Sequence, residues 1–110
     1  MSGPANTNIM LVVALFVNPN CKDEFEQFES RAAEIMSRYG GRVELRIACS
    51  PGDDASRPDE VHIVVFPGTD SFDRYRQDPE LQTLASLRVK AIRQTIVWPG
   101  TEFPPFGIAG

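Results

Sequence analysis

The stretch Ile9–Val17, IMLVVALFV, is apolar at all nine positions and rich in β-branched residues. Nine residues make a short helix, whereas a strand buried on both faces needs this composition, so the stretch reads as a central strand of a sheet. It also falls well short of the roughly 20 apolar residues that a membrane-spanning helix requires. The segment before it, residues 1–8 (MSGPANTN), has no Lys or Arg to form the charged region of a signal peptide and is expected to be a loose leader. After it, Asn18, Pro19 and Asn20 supply turn chemistry.

Downstream of the turn, Cys21, Phe25, Phe28, Ala32, Met36 and Tyr39 recur at steps of three and four, while Glu24, Glu26, Gln27, Arg31, Glu34 and Arg38 occupy the opposite side. This is an amphipathic helix, and Gly40 and Gly41 are expected to end it in the left-handed conformation. Residues 42–49 (RVELRIAC) then alternate, with Val43, Leu45, Ile47 and Cys49 on one face and Arg42, Glu44, Arg46 and Ala48 on the other. Residues 50–59 form a Pro-, Gly- and Asp-rich loop, longer than the about 2 to 5 residues of a usual hairpin and expected to be mobile. A second doubly apolar strand follows at residues 60–66, interrupted only by His62 and ended by Pro67 and Gly68.

Phe72 and Tyr75 mark one side of a short helix, and Asp78 followed by Pro79 reads as the cap and first residue of another. In that second piece Leu81, Leu84, Leu87 or Arg88, Ala91 and Ile92 keep helical spacing. Residues 94–98 are the last strand, which Pro99 and Gly100 are expected to stop, leaving 99–110 as a Pro/Gly-rich tail.

The order strand, helix, strand, strand, helix, strand predicts an α+β fold of the ferredoxin-like βαββαβ kind over residues 9–98, with a four-stranded antiparallel sheet in the order 4-1-3-2. The doubly apolar strands then take the centre. Both helices must cover one face, because both crossovers are right-handed. The other face, roughly 300 Å² in projection, is left bare and apolar, and a second copy of the chain is the expected cover.

At 110 residues with 11 basic and 15 acidic side chains, the chain is one domain of net charge −4 with no basic stripe. Nucleic acid and anionic membranes are therefore poor partners. Cys21 and Cys49 form neither a CxxC pair nor a cluster with the single histidine, which fits free thiols in a cytoplasmic protein. One His and no clustered carboxylates cannot fill a metal's coordination shell, and no glycine loop precedes a helix to hold a phosphate, so neither metal nor cofactor is expected.

Residues 60–97 carry a more specific signal. A strand ending in Phe66-Pro67, a helix with Phe72 and Tyr75, a turn at Asp78-Pro79 and a helix with Leu87-Arg88 resemble a small domain family of unknown function within the dimeric α/β-barrel superfamily. The resemblance implies a protomer whose sheet joins that of a partner to make a barrel, with a small pocket between the sheet and its helices or loops. Relatives on this fold include antibiotic-synthesis monooxygenases, haem-degrading oxygenases, muconolactone isomerases and stress-induced proteins. The haem-degrading group uses a histidine on a helix, whereas His62 lies on a strand.

Candidate site residues follow from chemistry. His62 shares a face with Val64 and Phe66; if that face fronts the barrel it meets Glu44 and Arg46 and serves as general base or substrate anchor, and otherwise it is a hydrogen-bonded histidine beside the interface. Arg46 and Arg42 with Glu44 can hold a carboxylate, or form surface ion pairs. Tyr75 and Arg88 are ligand-binding candidates or, equally, packing and surface charge. Trp98 reads as an interface anchor. Three functions stay open: a homodimer with a small-organic-ligand pocket, a cofactor-independent monooxygenase or isomerase, and a non-catalytic structural or stress-related dimer.

Overall fold

The computed structural model describes residues 8–50 and 54–107. The expected leader, apart from Asn8, the end of the tail and part of the 50–59 loop lie outside the described residues. The elements run β1 (Ile9–Val17), α1 (Lys22–Ser37), β2 (Arg42–Ala48), β3 (Glu60–Phe66), α2 (Thr69–Arg76), α3 (Pro79–Thr83), α4 (Ala85–Ala91) and β4 (Ile92–Gly100). The sheet order is β2-β3-β1-β4, all antiparallel, which is the expected ferredoxin-like arrangement. No helix among the described residues is long and apolar enough to cross a membrane.

Side chains alternate across β1, so Leu11, Val13 and Leu15 face the helices and Val12 and Ala14 face away. On the helix side, two clusters share the core. Leu15, Phe25, Phe28, Ala32, Ile35, Leu84, Ala91 and Ile92 form one, and Leu11, Met36, Val64 and Phe66 the other. Burial of each large side chain contributes about 1.5–3 kcal/mol, so these residues hold α1 and α4 against the sheet. Of the two glycines after α1, Gly40 takes the left-handed conformation, with φ of 77°, whereas Gly41 has a different task. A Cβ there would lie 2.5 Å from the Phe66 ring and 2.6 Å from Met36 Cγ, so only glycine lets the chain leave α1 this close to β3.

Two readings of the strands are corrected. Unbroken alternation through β2 fails because a bulge separates Val43, which pairs with Val64, from Leu45, which pairs with Ile63. The extra residue reverses the facing of everything beyond it: Val43 joins the helix-side core, while Leu45 and Ile47 turn to the far face and Arg46 sits opposite His62 on the helix side. Arg42 and Arg46 therefore do not share a face. β4 is also longer than residues 94–98, since Pro99 and Gly100 still pair with Leu11 and Met10. An edge strand tolerates proline because half of its amides face away from the sheet.

The far face is partly covered by the chain itself. Asp59 binds the end of β1 twice, its amide donating to Leu15 O at 2.8 Å and its carboxylate accepting from Val17 N at 2.8 Å. Arg93 donates to Ala55 O and lies over the Phe16 ring at 4.9 Å, so Phe16 is buried at that end. Val12, Leu45, Ile47 and Trp98 remain 37–52% exposed on the same face. In the tail, Phe103 and Phe106 are exposed, and neither lines the cavity described next.

Candidate functional site

A cavity of about 430 Å³ runs along the helix side of the sheet. Its floor is Leu11, Val13 and Leu15 of β1 with His62, Val64 and Phe66 of β3, and its walls come from α1, α2, α3 and α4. That size lies within the about 300–1,000 Å³ typical of small-molecule sites, and its largely apolar lining with a few polar groups is their usual composition.

Glu29 is the polar group that matters most here. It lies four residues after Phe25 and three before Ala32, in the apolar stripe of α1, so the helix carries its carboxyl into the cavity wall. Burial raises its pKa, and the negative charge of Glu60 adds to the effect, to about 7 from an ordinary 4.5; Arg46 opposes the shift. The carboxyl thus exchanges its proton near neutrality. His62 stands beside it, 2% exposed, with Nδ1 3.6 Å from Glu29 Oε1 and Nε2 2.8 Å from Glu60 Oε1.

Behind the histidine, Arg46 grips Glu60 with two donors, Nε and one terminal nitrogen, each at 2.9 Å, and turns the rest of its fork to Glu26. Burial works to raise the pKa of Glu60, but the bonds from Arg46 and His62 outweigh it and hold the carboxyl below its usual range. Glu60 and Glu26 in turn keep the guanidinium more firmly protonated. With its donors committed in this way, Arg46 fixes the histidine's partner rather than offering a free fork to a ligand.

Tyr75 also lines the cavity, packed on Phe66 with ring centroids 5.4 Å apart. Burial, reinforced by the charges of Glu29 and Asp78, pushes its phenol well above the usual value, so it remains a hydrogen-bond donor. The α2–α3 turn that places it is fixed by Asp78, whose Oδ1 caps α3 by accepting from Glu80 N at 2.7 Å and Leu81 N at 3.2 Å, while Tyr39 donates to Oδ2. Arg88 lines the cavity from α4; it is exposed and forms no ion pair among the described residues.

The cavity thus brings together His62, Tyr75 and Arg88 of the residues singled out from sequence, with Arg46 behind His62. Glu44 is not among the lining residues; at the bulge it pairs with Arg42 at 3.1 Å. The face of β3 that bears His62 points to the helices, not to the bare side of the sheet. Glu29 was missed, although its position on the apolar stripe of α1 was a readable signal. Cys21 and Cys49 are both free.

Fold and site together define a ferredoxin-like α+β domain with an apolar cavity between sheet and helices and a titratable pair in its wall. No family model matches the chain, and no curated protein matches it in sequence. Among solved structures it is similar to a protein of unknown function from Rhodopseudomonas palustris, with a TM-score of 0.73 at 16% identity over 91% of this chain and 85% of that one. It is also similar to SnoaB, a cofactor-independent oxygenase from Streptomyces nogalater, with a TM-score of 0.68 at 19% identity over 92% of this chain and 98% of that one. A dimeric ferredoxin-like protein of unknown function from Thermobifida fusca matches with a TM-score of 0.61 at 13% identity over 89% and 93% of the two chains. At these identities the likeness is one of fold.

Proposed function

We propose that this chain binds a small, largely apolar organic molecule in the cavity between sheet and helices and presents Glu29 to it as an acid-base group at neutral pH. The observation that carries the reading is the Glu29 carboxyl set by α1 into the wall of an apolar cavity of about 430 Å³, where burial pushes its pKa up to about 7. Structural carboxylates are normally paired and ionised, whereas one poised near the working pH suits proton exchange with a bound molecule. Tyr75 supplies a hydrogen-bond donor, and Arg88, which forms no ion pair among the described residues, suits a ligand with an anionic end. The working unit in this reading is a cytoplasmic homodimer closed through Val12, Leu45, Ile47 and Trp98, a face whose exposed apolar side chains call for a cover.

A neutral fluorescent probe, N-phenyl-1-naphthylamine, tests the cavity. The unmodified chain is expected to enhance its emission saturably. Ala33→Trp, which places an indole at the cavity wall, is expected to weaken binding at least about tenfold, or about 1.4 kcal/mol, while the thermal transition shows the variant still folded. Equal binding by the two proteins would place the probe elsewhere and remove the cavity from the account.

A further inference from the structure

We propose that His62 and Glu29 share one proton and act as a single acid-base unit, with Glu60, clamped by Arg46, positioning the imidazole so that its Nδ1 lone pair faces the Glu29 carboxyl. The inference rests on the acid-base reading of Glu29 and adds a positioning residue to it.

The geometry sets the direction of each hydrogen bond. Glu60 is held ionised by the two-donor grip of Arg46, so it can only accept, and the His62 nitrogen 2.8 Å away must be the donor. That places the hydrogen of the neutral imidazole on Nε2 and leaves Nδ1 as an acceptor. Nδ1 lies 3.6 Å from Glu29 Oε1, longer than a hydrogen bond but within ion-pair reach, and acid-base contacts of this length commonly tighten once a ligand is bound. Among the described residues, Glu26 and Phe25 on α1, Glu60 on β3, Arg46 on β2 and Tyr75 on α2 surround the pair, and Arg76 and Arg88 lie along the same cavity.

When Glu29 is protonated, its O–H faces a lone pair. Transfer breaks that O–H bond and forms an N–H bond at Nδ1, giving a carboxylate beside an imidazolium with no change in the number of protons held. Glu60 faces the positive ring from its other side, much as a buried carboxylate supports the histidine of a hydrolase triad. The first form can give a proton to a bound molecule, and the second can take one. Glu29 alone would need solvent to change between those roles.

Nitrogen NMR tests this directly, because His62 is the only histidine in the chain and its imidazole signals need no assignment by mutation. Long-range proton–nitrogen spectra at pH 8 are expected to show the hydrogen on Nε2. The Nδ1 signal is expected to step at the same pH as the Glu29 carboxyl carbon, near 7, and to lose that step in Glu29→Gln. A histidine with a merely structural role would be unmoved by that substitution. Finding the hydrogen on Nδ1 in the unmodified chain, or an Nδ1 response unchanged in Glu29→Gln, overturns the inference. Neither readout requires a ligand, so failure of the shared-proton pair is distinguishable from failure of the cavity to bind the naphthylamine probe.

Discussion

Glu29→Gln is expected to stabilise the chain by about 3 kcal/mol at pH 8 and to leave its stability at pH 4 unchanged. The expectation follows from linkage. In the unfolded chain the carboxyl loses its proton near 4.5, while in the folded chain burial and the charge of Glu60 delay that loss to about 7. Between those values the folded state binds more protons than the unfolded state, so stability falls as pH rises through the window. Below about 4.5 both states hold the proton, and the burial cost of the charge is absent. Glutamine keeps the shape and cannot ionise, so it removes the loss above pH 7 and little else. Urea denaturation of both proteins at the two pH values and one protein concentration measures the difference. An equal gap at pH 4 and pH 8 would mean that Glu29 titrates as an ordinary exposed carboxylate, and the proposed chemistry would lose its acid-base group.

Val12→Arg is expected to convert a particle of about twice the 12.2 kDa chain mass into a single chain. Val12 lies on a central strand and is 37% exposed, flanked on the far face by Trp98, its partner on β4. In a two-fold dimer through this face the substitution enters the interface twice. Two guanidiniums buried without partners are expected to raise the dissociation constant on the order of 10³-fold or more. Light scattering on the eluting peak reads the mass directly. An unmodified chain that runs at 12.2 kDa at micromolar concentration would contradict the dimer, and the far face would then be a partner surface for something else.

The two strands with apolar residues on both faces announced themselves as the sheet centre, and the spacing of Phe25, Phe28, Ala32 and Met36 announced the helix that covers it. Those patterns arise from burial, which depends on side-chain type alone and so survives in the sequence. The bulge in β2 left no such mark. Residues 42–49 alternate without a break, and the decision to turn Val43 inward and Leu45 outward is made by pairing with Val64 and Ile63 on a neighbouring strand. Pro99 misled for a similar reason: it breaks central strands, but β4 is an edge.

The site was legible in part. His62 stood out as the lone histidine on an apolar strand, and Tyr75 and Arg88 stood out through a family pattern. All three reach one cavity because α2 and α4 pack on the same face of the sheet. Glu29 escaped because a carboxylate on an amphipathic helix is ordinarily assigned to the solvent side, and its altered acidity comes from burial against the sheet and, after that, from the charge of Glu60, 31 positions away in the chain and on another element. For Arg46 the sequence leaves a carboxylate-binding fork and an ion pair both legible, and its donors go to Glu60 and Glu26. Ion-pair choices of that kind are made by tertiary contact.

The cavity is the centre of this account, and methyl NMR with a small aromatic ligand such as naphthalene tests it most directly. Added ligand is expected to shift the methyl signals of Leu11, Ala33, Met36 and Val64, which line the cavity, and to leave Val12 on the opposite face of the sheet unchanged. Shifts confined to Val12 and its neighbours on the far face, with the cavity methyls unmoved, would contradict the account.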